Sequence, residues 1–178
     1  MIQTLIPAPV KAQARGHRLG YALTPRALLL LLAGCSLVIP GFFHPRSPWM
    51  WPWAMVAWDA LIVLLVLFDA MLLPAPAAIT VERRFADSPS LGEPTKVELE
   101  VTQESNQILD IRISDAANPA LASMPLSGRI RAFPRDPVRV TISCIPIARG
   151  DVTLGKVYLR YRGVLKLAER WAQADLEQ

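Results

Sequence analysis

Cysteine is almost missing from this chain. Cys35 and Cys144 are all that 178 residues hold, too few for the disulfide framework on which small secreted domains rely. Both are expected to be buried thiols, Cys35 in an apolar run and Cys144 on the inward face of a strand. Histidine is as scarce: His17 and His44 lie at the two ends of the first apolar run, so once that run spans a membrane they cannot share a metal. The sequence has no Ser-His-Asp arrangement, no phosphate-binding glycine loop and no carboxylate pair suited to a pocket. It therefore offers no catalytic, cofactor-binding or metal-ligating candidates, and the chain is expected not to be an enzyme.

Charge is missing in a patterned way. Residues 1–26 contain no acid, only Lys11, Arg15, Arg18 and Arg26, and between Pro25 and Pro74 the charged residues are Arg26, Arg46, Asp59 and Asp69 alone. After Ala78 charges return every few positions and alternate with apolar residues. With 52% hydrophobic residues overall, this division implies two solvents, lipid and water.

The first apolar run, 25–43, begins with a good N-cap, Thr24, and a proline suited to the first helical position, Pro25. Nineteen residues at 1.5 Å each give roughly 28 Å, close to a hydrocarbon core of about 30 Å. The second run, Pro52 to Leu73 with Pro74 as its stop, gives roughly 33 Å. Trp49, Trp51, Trp53 and Trp58 gather at its start, as tryptophans do at headgroup level, and are expected to be interfacial anchors. A buried hairpin in a soluble core would need more covering surface than the remaining hundred residues provide. A cleaved secretory signal is disfavoured because no small-x-small site follows Phe43. The basic N-terminal flank keeps that end in the cytoplasm, and two spans return the chain there. Four basic residues beside a span are a topology signal before they are a nucleic-acid arm.

Asp59 and Asp69 stand inside the second run, where a carboxylate costs about 2.5–3.5 kcal/mol on insertion scales unless it is paired or functional. Ten residues separate them, about 15 Å along a helix and roughly 80° around it, so they form no dyad. Asp59 is near the outer, tryptophan-rich end. Asp69, one turn from the cytoplasmic end, is level with Arg26 in an antiparallel hairpin, and an Asp69–Arg26 intramembrane pair is expected ahead of a proton relay, which needs several ionisable groups in series.

Beyond the membrane the pattern has period two. "PTKVELEVTQ" puts Val97, Leu99 and Val101 on one face, and "PVRVTISC" does the same with Val138, Val140, Ile142 and Cys144. Further strands are expected at 79–85, 108–114, 128–133, 151–162 and 164–169. The fold expected is two transmembrane α-helices followed by an all-β, immunoglobulin-like sandwich. Its parts are a basic cytoplasmic tail (1–24), the transmembrane hairpin (25–74), the sandwich (79–170) and a polar tail (171–178). "RGD" at 149–151 spells an integrin-binding tripeptide, but in a cytoplasmic domain it reads as a turn between strands.

The order of these features resembles the N-terminal half of the bacterial MoxR-associated family, also called domain of unknown function 58. "TPRALLLL" resembles that family's entry to a helical hairpin and "LLVLFDAML" its second helix. "ITVERRFADSPSLGEPTKVELEVTQES" is similar to its first two strands, with the Gly92-Glu93-Pro94 turn, and "IPIARGDVTLGKVYLRYRGVLKLAERW" to its last strands. Where members have a Gly-Leu pair after the last strand, this chain has Lys166 and Leu167. Members continue into a von Willebrand factor A-like half, so the chain is expected to be a fragment or a short form. "DSPS" at 87–90 has the wrong spacing for that half's metal loop. The resemblance implies a non-enzymatic interaction module of the bacterial inner membrane, both termini cytoplasmic. Its implied partners are the lipid bilayer, a MoxR-type AAA+ ATPase and client proteins, with no nucleic acid and no cofactor. The alternative is an envelope-side adhesion or ligand-binding β-domain.

Overall fold

The computed structural model describes residues 9–40, 49–86, 90–115, 121–123, 127–147 and 155–176. Two compact units are built from interleaved segments: Met1–Gly20, Pro74–Tyr161 and Trp171–Gln178 in one, Tyr21–Leu73 and Arg162–Arg170 in the other.

The chain is mostly β, in two five-stranded sheets. The first has the order β1 (Val10–Gln13), β3 (Ile79–Phe85), β4 (Thr95–Gln103), β8 (Val138–Pro146), β6 (Leu121–Ser123). The second runs β2 (Arg15–Leu23), β10 (Ala168–Ala174), β9 (Val157–Arg162), β5 (Leu109–Asp115), β7 (Ser127–Ala132). Alternation sets the register of the first sheet. Leu99 stands opposite Val140 and Val97 opposite Ile142, while Val81 faces Val101. On the polar side Arg139 lies directly across from Glu100 and bonds its carboxylate at 2.9 Å. A one-residue slip would exchange these two faces.

Val81, Leu99 and Val101 of the first sheet and Leu109, Ile111, Ile113 and Leu159 of the second form the core of the larger unit, all at most 2% exposed. Gly128 on β7 lets the sheets close: a Cβ there would lie 3.2 Å from Val140 Cγ1. Gln103, wholly buried at the end of β4, donates to the carbonyls of Gln107 and Ala132 at 2.7 and 2.8 Å, so its amide is satisfied across the layers. Arg83 is fully buried and donates to the carbonyls of Leu176 (3.2 Å) and Gly155 (3.4 Å).

Strand boundaries differ from the sequence reading at both ends. Residues 10–13 and 15–23, expected as part of a basic tail, are β1 and β2, an added strand for each sheet. β1 pairs with β3, placing Val10 opposite Arg83 and Gln13 opposite Thr80. The last strand, expected at 164–169, begins at Ala168 and runs to Ala174. The residues before it form a turn in which Lys166 has φ 58°, a left-handed conformation unsuited to a strand.

The smaller unit carries the helices. α1 (Pro25–Cys35) is capped by Thr24, whose Oγ1 accepts from Ala27 N at 3.3 Å. A 3₁₀ turn, Ser36–Val38, follows. α2 (Met50–Leu72) has 23 residues and is long and apolar enough to cross a membrane; the apolar helical stretch Pro25–Val38 is shorter. The first span expected over 25–43 is thus described only in part. Cys35 is exposed on α1, not buried as expected, and Cys144 is buried; both are free thiols.

Candidate functional site

Apart from Asp59 and Asp69, helix α2 is apolar around its circumference. Only Ile62 and Asp69 are buried, whereas Leu64, Leu67, Phe68 and Met71 are exposed, Met71 by 84%. A helix apolar on all faces needs an apolar surrounding.

The contact between α1 and α2 is close on one stripe. Trp58 Nε1 donates to the Leu30 carbonyl at 2.9 Å, which makes this tryptophan a tie between helices, half-buried, where the sequence suggested an interfacial anchor. Gly34 on α1 leaves room for it: a Cβ would collide with Trp58 Cδ1 and Asp59 Oδ1. That Asp59 oxygen is buried and accepts no hydrogen bond among the described residues. Trp49 and Trp53, at the start of α2, are 77% and 69% exposed, and Trp51 is half-buried.

Asp69 has other partners than those its sequence position suggests. It is 1% exposed, and its Oδ2 accepts from the backbone N–H groups of Leu167 at 2.8 Å and Ala168 at 2.9 Å. Arg26 is exposed, and no ion pair joins it to Asp69 among the described residues. The expected Asp69–Arg26 pair is therefore replaced by a carboxylate held on two main-chain donors, a charge-assisted arrangement that neutral amides can supply inside an apolar region. The same turn is held from α1. Thr24 N donates to Leu167 O at 3.1 Å and Thr24 Oγ1 to Lys166 O at 2.7 Å. One turn of chain, 163–168, is thus bonded to the start of α1 and to the end of α2. Thr24 was legible as a cap, but its second duty was not, because a backbone carbonyl 142 residues away leaves no mark on the local sequence.

Beside this knot an open apolar groove of about 440 Å³ is lined by residues including Tyr21, Leu23, Val66, Leu67, Met71 and Ala168. The Arg170 guanidinium lies 4.6 Å from the centre of the Tyr21 ring, and Arg162 pairs with the buried Glu169 at 2.8 Å.

Elsewhere the charged groups form surface ladders. Arg84 is raised above its ordinary pKa by its hydrogen bond to Glu82 and then by that group's charge, and Arg129 likewise by Asp110. Arginine is already protonated at any physiological pH, so neither shift creates an acid or a base. Among the described residues no three His, Cys, Asp or Glu side chains come together as a metal site. The His17 side chain, His44, the Arg149–Asp151 tripeptide and Asp87–Pro89 lie outside the described residues.

No family model and no curated protein matches the chain. Among solved structures it is similar to a Niemann-Pick type C2 protein from the Japanese carpenter ant, with 6% identity and a TM-score of 0.24 over 49% of this chain and 75% of that one. A likeness of that size carries no argument about fold or ligand.

Proposed function

We propose that the chain is a membrane-anchored, non-enzymatic interaction module of the bacterial inner membrane, crossing it twice with both termini in the cytoplasm. The observation that carries this reading is α2: 23 residues, apolar apart from Asp59 and Asp69, with only Ile62 and Asp69 buried by the rest of the chain. The basic residues before α1 favour a cytoplasmic N-terminus.

The β part is read as an immunoglobulin-like sandwich. Its inner orders, β3-β4-β8-β6 and β10-β9-β5-β7, follow the ABED and GFC neighbours of that architecture, with β7 as an additional edge strand beside β5. Its role is protein recognition, with a MoxR-type AAA+ ATPase as first partner, by the resemblance of the "GEP" and "LGKVYLRYRG" segments to the MoxR-associated family.

In intact cells a membrane-impermeant thiol reagent should reach Ser47→Cys and spare Ser105→Cys and Ser127→Cys, all in a Cys35→Ser background. The reverse pattern would replace this reading by an envelope-side binding domain. Retention of the detergent-solubilised full chain on an immobilised MoxR-type ATPase tests the partner, and its absence removes that partner from the proposal.

A further inference from the structure

The turn between β9 and β10 is apolar where an aqueous hairpin would be polar. Val164 is 67% exposed and Leu165 41%. These side chains have a fixed height on the helices, because the turn that carries them is bonded to Asp69 through Leu167 N and Ala168 N and to Thr24 through the Leu167 and Lys166 carbonyls.

Asp69 is three residues from the end of α2, about 4.5 Å along the axis. A helix of 23 residues is about 34 Å long, against roughly 30 Å of hydrocarbon. With α2 centred in a bilayer, Asp69 falls a few ångströms inside the edge of the hydrocarbon, and the turn hangs from that level. Tyr21 and Leu23, exposed by 52% and 47%, and Met71 continue the apolar surface along the groove.

The charges of this unit are one-sided. Its acids among the described residues are Asp59, Asp69 and Glu169; the last two are 1% exposed and Asp59 is half-buried. Arg26, in the first turn of α1, is exposed, and Arg170 is at the Tyr21 ring. An apolar tip in a unit that carries the exposed Arg26 and the half-exposed Arg170 but no fully exposed acid among its described residues is complementary to an anionic lipid surface.

We propose that the β9–β10 turn, through Val164 and Leu165, is a third membrane contact: a wedge seated in the interfacial layer of the leaflet where α2 ends, with Arg26 and Arg170 toward the lipid phosphates. This rests on the membrane-anchored reading of α2. Two helices alone can tilt; a wedge held at Asp69 restricts the tilt.

The test uses the full chain in vesicles of phosphatidylcholine and phosphatidylglycerol, with Cys35→Ser and Cys144→Ala, and a nitroxide attached in turn at Val164→Cys, Leu165→Cys, Leu64→Cys in mid-α2 and Glu93→Cys in an exposed turn. Collision with oxygen relative to a water-soluble nickel chelate should be several-fold higher at 164 and 165 than at 93, approaching the value at 64. Values at both turn positions equal to that at 93, with 64 lipid-like, would overturn the wedge and leave the anchor standing. A water-like value at 64 would overturn both.

Discussion

Among the described residues Asp69 is held by main-chain donors and not by a counter-ion. Its carboxylate accepts two main-chain N–H groups, so removing it strands two buried donors at roughly 1–3 kcal/mol each. Asp69→Ala should therefore cost about 2–6 kcal/mol, read as a fall in thermal stability in detergent. Asp69→Asn, which keeps an acceptor oxygen, should cost less. A charge swap, Asp69→Arg with Arg26→Asp, should rescue nothing; recovery by the swap would restore the ion-pair model. Lys166 bears on the same turn. Its φ of 58° is a conformation that costs an ordinary residue about 1 kcal/mol relative to glycine. Lys166→Gly should raise the unfolding midpoint, and the β-branched Lys166→Val should lower it; equal midpoints would mean that the turn relaxes away from the left-handed region.

At the scale of elements, helix pairing depends on Gly34. Any side chain there meets Trp58 and Asp59, so Gly34→Leu should cost about 1–3 kcal/mol through overpacking, while Trp58→Phe, which gives up the bond to Leu30 O, should cost about 1 kcal/mol. If Gly34→Leu leaves the unfolding of the detergent-solubilised protein unchanged, α1 and α2 do not pack along this stripe. The sequence carried the central strands openly. The alternation from Thr95 to Gln103 records one buried and one wet face, and β3 occupies 79–85 as its pattern indicates. β1 and β2 were not legible, and β10 was legible only as a strand placed four residues too early. The buried positions of β10 include Ala168, Glu169, Ala172 and Ala174, three of them too small to announce an apolar face. "VKAQARGHRLGYAL" reads as basic before it reads as extended, and its first strand exists through β3, about seventy residues further on. The helices were visible as apolar length. The knot at Asp69 was not, since backbone donors have no residue type.

For the whole molecule, the N-terminal segment decides whether the sheets end safely. β1 lies outside β3, and β2 lies outside β10, so the two strands that precede the helices cover one edge of each sheet. Without them β3 and β10 would each present an open row of N–H and C=O groups, a template for pairing with another chain. The interior itself lies largely in residues 79–174, where Val81, Leu99, Ile111 and Leu159 are all buried. A chain beginning at Pro74 should therefore show β-type circular dichroism and yet associate through those edges. A companion in which residues 9–23 are joined to residue 74 by a flexible Gly/Ser linker, omitting the helices, regains both covering strands and should be monomeric and unfold at higher denaturant. Size-exclusion chromatography with light scattering distinguishes the two. A monomeric, equally stable chain from Pro74 onward would show that β1 and β2 are ornaments of the sheets, and that the basic segment acts only as a topology signal.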